Sequence, residues 1–254
     1  AAAACGGDEA APTTTAAAIT TMGEVATGSC SVLFGSPTQS TGLGSDVCRP
    51  ERICDGLEPF TAPSYDAAAI AGLRSRTLLN PPPLFPADPY QDPALVPDAG
   101  GVCGVLPADG GYRLETFSDR GAVEAAGGTI THTGACGACS SLQDLAVYLE
   151  QPDLGEAVRQ CALLSLGGDM GPTVECITDL GFSEPCAQIW AFNSANTRAS
   201  CLNPCLAALE SPHHEPDGSL NPCLACDEEE SGPVFKAVAG RSRRNSGIPS
   251  AICR

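Results

Sequence analysis

TITHTGACGACSSLQDLAVYLE, residues 129–150, decides the fold. Thr129-Ile130-Thr131-His132-Thr133 is rich in β-branched side chains and predicts a strand. The far end predicts an amphipathic helix. Ser140 with Gln143 makes a capping box, and Leu142, Leu145, Ala146 and Leu149 recur at i, i+3, i+4 and i+7. Between strand and helix stands a CxxC turn, Cys136 to Cys139. Upstream, Tyr112 to Phe117 alternates polar and apolar as a half-buried strand does, and Asp119 to Ala126 suits a helix stopped by Gly127-Gly128. Residues 111–133 thus predict a small β-α-β element.

Downstream the pattern is helical. Asp153 with Glu156 opens a helix whose apolar stripe is Leu154, Ala157, Val158 and Cys161, and Gly167-Gly168 stops it. A short helix is predicted over 173–180, ending at Gly181. Ser183 with Pro185 begins another through Ile189, Trp190 and Phe192, Asn203-Pro204 begins a shorter one, and a last runs from Ser231 to Gly240. The acidic run Asp227–Glu230 is read as preceding that last helix, where it complements the dipole. The predicted class is α+β: mainly α, with short disulfide-stapled helices, a small β-α-β element and a loop-rich N-terminal third.

Four segments follow from composition. Residues 1–29 are Ala/Thr-rich and read as a disordered lead-in. Residues 30–80 form a small cysteine-containing segment. Residues 81–99 hold seven prolines, too many for a helix or central strand, and read as a linker or wrapping segment. Residues 100–254 read as a disulfide-stapled, mostly helical main domain.

The chain has 254 residues, a net charge of −17 and 15 cysteines. Its acidity leaves no positive field for nucleic acid, and no apolar run is long enough for a transmembrane helix. The cysteine density points to an oxidising, extracytoplasmic location, whether secreted, lumenal or lipid-anchored at a surface. The opening AAAAC fits a processed signal peptide, with Cys5 as a lipid-anchor candidate of bacterial lipoprotein type. The other 14 cysteines are disulfide candidates: Cys30, Cys48, Cys54, Cys103, Cys136, Cys139, Cys161, Cys176, Cys186, Cys201, Cys205, Cys223, Cys226 and Cys253. Equal spacing of Cys161 to Cys176 and of Cys186 to Cys201 invites a stapled helical-hairpin reading.

The CGAC turn, between a strand and a helix, locally resembles the active-site stretch of thioredoxin-like oxidoreductases. That resemblance implies a catalytic thiol at Cys136 or Cys139, with His132 as base or charge partner. It departs from the family where Ser140 caps the helix, because both cysteines then lie outside the first turn. The competing reading is structural bridging. A third reading pairs Cys136 and Cys139 with Cys223 and Cys226, or with His132, His213 and His214, around a metal. Their separation is far longer than in a zinc ribbon, and no metal or cofactor is assigned.

The C-terminal segment offers a different chemistry. Residues 231–254 contain Lys236, Arg241, Arg243, Arg244 and Arg254 and no acid. The loop GRSRRNSG, residues 240–247, could wrap a small anionic ligand such as a carboxylate, sulfate or phosphate, with Lys236, Arg241, Arg243 and Arg244 as contacts. Equally, arginines near a helix end satisfy its carbonyls. A ligand site, if present, is expected between the CGAC turn and this loop. Asn193 and Asn196 predict a side-chain hydrogen-bond network, and Trp190 a core position. The function predicted first is an extracytoplasmic disulfide-rich binding or structural module. The alternatives are a cysteine-dependent enzyme built on CGAC and His132, or a Cys/His metal-binding protein.

Overall fold

The computed structural model describes residues 65–151, 153–209, 211–246 and 248. The lead-in, Cys5, Cys30, Cys48, Cys54, Cys253 and Arg254 lie outside the described residues, as does most of the N-terminal third. The class is α+β and mainly helical. The described elements run α1 (Ala67–Arg74), β1 (Val102–Ala108), β2 (Gly111–Phe117), α2 (Arg120–Ala125), β3 (Thr129–Thr133), α3 (Leu142–Glu150), α4 (Gly155–Ala162), α5 (Gly171–Asp179), α6 (Glu184–Ala207), α7 (Pro222–Glu230) and α8 (Gly232–Ala239).

The predicted strand–helix–strand run is present, but β2 and β3 do not pair. An additional strand, β1, lies between them in an antiparallel sheet of order β2-β1-β3. Asp109-Gly110 makes the two-residue turn from β1 to β2, with Gly110 at positive φ. Pro107 is tolerated in the middle strand because β3 pairs only with Cys103–Val105, so β1 has a single neighbour at the proline.

Both sheet edges are partly covered: main chain at Thr77 and Leu79 pairs with Tyr112 of β2, and side chains reach further along each edge. Asn80 imitates a strand along β2, accepting from Leu114 N at 3.0 Å and donating to Leu114 O at 2.8 Å. Asn245 donates to Thr133 O on β3 at 2.8 Å. Unpaired strand edges invite association with other chains, and these contacts shorten the open stretches.

Helix α3 forms the centre. Leu142, Leu145, Ala146, Val147, Tyr148 and Leu149 are all buried, a wider face than a single amphipathic stripe. Helix α1 packs against it, and the Tyr112 hydroxyl of β2 accepts from Leu142 N at 2.9 Å at its first turn. Its cap is Ser141 rather than Ser140: the Ser141 hydroxyl accepts from Asp144 N. Ser140 is unavailable because its hydroxyl is engaged by His132 and Gly137.

Among the described residues, five disulfides join separate segments. Cys161–Cys176 staples α4 to α5, as the spacing suggested, whereas Cys186 and Cys201 take different partners. Cys201–Cys226 and Cys205–Cys223 clamp α6 to α7. Cysteines at i, i+4 on one helix face cysteines at i, i+3 on the other, so two bridges lie one turn apart. The acidic run 227–230 lies inside α7, which Asn221 caps and Pro222 opens. The two helices expected around residues 183–207 form one kinked element. The kink falls at Cys201, with Pro204 just beyond it.

The proline-rich stretch runs along α6. Phe85 N donates to Gln188 Oε1 at 2.9 Å, and the Phe85 ring meets Phe192 edge-on at 6.4 Å. The Tyr90 hydroxyl sits 2.7 Å from Asn193 Oδ1 and 3.0 Å from Ser231 O. Asn193 and Asn196 join the expected network, Asn196 donating to Glu230 O and Ser231 Oγ.

Candidate functional site

The CGAC turn and the C-terminal arginine loop meet in direct contact. Ala138 N donates to Val238 O at 2.9 Å, and Cys139 N donates to Ala239 O at 2.8 Å. This approach needs glycine on both sides. A Cβ on Gly137 would stand 2.4 Å from Val238 O, and one on Gly240 would stand 2.5 Å from Gly137 N. Gly240 also ends α8 at φ 73°, in the left-handed region glycine adopts freely.

A β-bulge prepares the junction. Cys103 pairs with His132 and Gly104 with Ile130, which leaves Thr131 without a partner on β1. Arg241 takes up the freed group. It is fully buried, and its five donors all find acceptors. Nε donates to Cys139 O at 3.1 Å, Nη1 to Thr131 O at 3.2 Å and Ser246 Oγ at 3.0 Å, and Nη2 to Ser140 O at 3.0 Å and to Thr131 Oγ1. Burial lowers its pKa to about 10, so it stays cationic at neutral pH, aided by the field of Asp144.

His132 lies beside it, 1% exposed. Nδ1 is 2.9 Å from Thr133 O and Nε2 is 2.7 Å from Ser140 Oγ. A carbonyl only accepts, so Nδ1 carries the proton and Nε2 accepts from the Ser140 hydroxyl. Gly137 N donates to the same oxygen at 2.8 Å. Burial first, and the Arg241 cation second, push the imidazole down to about 3. A neutral imidazole on a serine hydroxyl is the pairing a general base would use. Here both groups are closed off from solvent, so the pair braces the turn.

Asp144 is the buried group the sequence reading missed. Its carboxylate accepts from Ser183 N at 2.7 Å and Ser183 Oγ at 2.9 Å, and from the Ser141 hydroxyl. It therefore anchors the residue that begins α6, whose own side chain makes no cap hydrogen bond. Burial raises its pKa, opposed by these hydrogen bonds and by Arg241. The signal in sequence was an acid at the third position after Ser141, on a helix otherwise apolar there.

The remaining candidates sit as follows. Cys136 bonds to Cys103 and Cys139 to Cys186, so the CxxC cysteines reach away from one another, one to β1 and one to α6. Cys223 and Cys226 are in bridges too, and no cluster of three or more metal-ligating side chains occurs among the described residues. Arg243 donates to Tyr148 O at 2.8 Å and to Gln151 O, at the C-terminal end of α3, and lies over the Tyr148 ring at 5.6 Å. Lys236 pairs with Glu228 at 2.8 Å. Arg244 is exposed. His213 faces Asp153 at 3.5 Å, far in sequence from the CGAC turn.

A model described as a family of unknown function (DUF8771) matches residues 171–254, from the start of α5 to the C-terminal residue. The matched span holds the α6–α7 clamp, α8 and the arginine loop, and excludes the sheet and the CGAC turn. No curated protein and no solved structure matches the chain.

Proposed function

We propose that this chain works outside the cytoplasm as a disulfide-stapled module that presents a surface, with a structural or binding role rather than a reaction centre. The observation that carries this reading is the outward divergence of Cys136 and Cys139 into two different bridges. A dithiol pair that cycles between oxidised and reduced needs both sulfurs to reach one another. The test is alkylation of the denatured, unreduced protein followed by peptide mapping. The ten cysteines of the five bridges should stay unlabelled, and labelling of most of them would overturn both the compartment and the role.

The arginine loop fits the structural role better than an anion site. Arg241 and Arg243 both point at main-chain carbonyls, as arginines do where helix and bulge leave acceptors open. Titration with sulfate or phosphate at constant ionic strength is therefore expected to leave the melting temperature unchanged. Stabilisation by either anion, lost in the Arg243→Ala/Arg244→Ala protein, would restore the small-anion ligand as the better reading.

A further inference from the structure

We infer that the leucine-rich end of α6, with the turn after α4, is a homodimer interface occupied by a second copy of this chain. Leu163, Leu164, Leu166, Leu202, Leu206 and Leu209 are each between 48% and 67% exposed. The two segments are neighbours. Arg198 Nη1 donates to Ala162 O at 3.3 Å, Leu163 is the next residue, and Leu202 lies four residues after Arg198, just past the kink at Cys201. Leu206 continues the same side one turn further on, and Leu209 lies just past the helix end.

Charge selects the occupant. The chain carries 30 acids, yet residues 157–168 and 185–209 contain none, and their charged residues are Arg159 and Arg198. Two molecules of net charge −17 repel across most approaches. These two segments themselves bring no carboxylate to such a contact. Area agrees. A half-exposed leucine offers on the order of 80–100 Å² of apolar surface, so six offer roughly 500 Å², the size of a large functional patch. A two-fold axis would bury that patch on both copies, about 1,000 Å² from leucines alone, close to where stable interfaces begin.

The full oxidised chain is examined by sedimentation equilibrium from micromolar to a few hundred micromolar. A monomer–dimer equilibrium is expected. The Leu202→Glu/Leu206→Glu pair and, separately, the Leu164→Glu/Leu166→Glu pair should each weaken it at least 100-fold while circular dichroism stays unchanged. Should a glutamate pair disturb the fold, the matching serine pair reads the same loss. A wild type that stays monomeric throughout would overturn the inference and assign the leucines to residues 1–64 or to a different molecule. So would assembly beyond two copies, or a folded variant that dimerises like wild type.

Discussion

Acid should destabilise this protein through His132, by an amount the junction sets. The imidazole has its folded pKa held at about 3, against 6.5 when free, by burial and by Arg241. A depressed histidine binds fewer protons folded than unfolded between those values. Its contribution is therefore complete above pH 6.5 and is lost as pH falls towards 3. One pKa unit corresponds to about 1.4 kcal/mol. From pH 7 to pH 5 His132 alone should remove about 2 kcal/mol, and by pH 4 about 3 kcal/mol. Asp144 works in the other sense. Its raised pKa favours the folded state as pH falls, so the raw curve mixes the two. The comparison that isolates the histidine is His132→Gln, whose amide can donate to Thr133 O and accept from Ser140 while never charging. Urea unfolding of both proteins at pH 7, 6, 5 and 4 gives the slopes. Wild type should lose about 2 kcal/mol more than the variant between pH 7 and pH 5. Equal losses would mean that the imidazole is not buried against Arg241, and the account of the junction fails with it.

Replacing Arg241 with Met leaves the Thr131, Cys139 and Ser140 carbonyls without donors, at about 1–3 kcal/mol each. A loss of at least about 4 kcal/mol in chemical denaturation is expected, with Arg243→Ala costing clearly less. Gly137→Ala drives a methyl into Val238 O and should lower stability by more than about 3 kcal/mol, read as a melting-temperature drop, whereas Gly167→Ala, with open space around it, should not. Converting Cys161 and Cys176 together to Ser opens a loop with a sequence separation of 15 and should cost about 3 kcal/mol in the same assay. Limited proteolysis should spare residues 81–99 in wild type, and Tyr90→Phe, which strips a donor from Asn193, should cost about 1–2 kcal/mol and speed cutting there.

A local cap made some helix starts legible, though not that of α7, which Asn221 caps. Asp119 caps α2 through a hydrogen bond within three residues of sequence. The cap of α3 was misplaced by one residue because a tertiary contact, His132 on Ser140, removes the better-looking serine. Strand β1 was hidden by Gly104 and Pro107, and only the pairing pattern explains why they are tolerated. Gly104 leaves room for Phe117, whose ring would lie 2.9 Å from a Cβ there. Helix α7 escaped because none of its residues is buried and two bridges, rather than an apolar stripe, hold it. Glycine and helix-end signals on the CGAC turn and the arginine loop were readable, whereas their meeting was not. That Arg241 would turn inward was not either, since the need for it arises from a bulge in β3 that no local pattern announces.

The junction's polarity follows from the same bulge. A strand that skips a residue, a cysteine turn and the end of α8 converge within a few ångströms, and each brings main-chain acceptors without secondary-structure partners. Apolar filling would leave Thr131 O, Cys139 O and Ser140 O desolvated and unpaired, which is worse than burying one cation that reaches all three. A guanidinium has five donors in a fixed plane and needs no deprotonation to sit there. A lysine would offer three donors from a single atom and could not span Cys139 O and Thr131 Oγ1 together. With aromatics only 5% of the chain, the core has few large side chains to lock its elements. Cross-links to Cys103 and Cys186 fix the turn on either side, and Arg241 fixes it from beneath. Covalent and polar staples thus hold the position that a larger aromatic core would hold by packing.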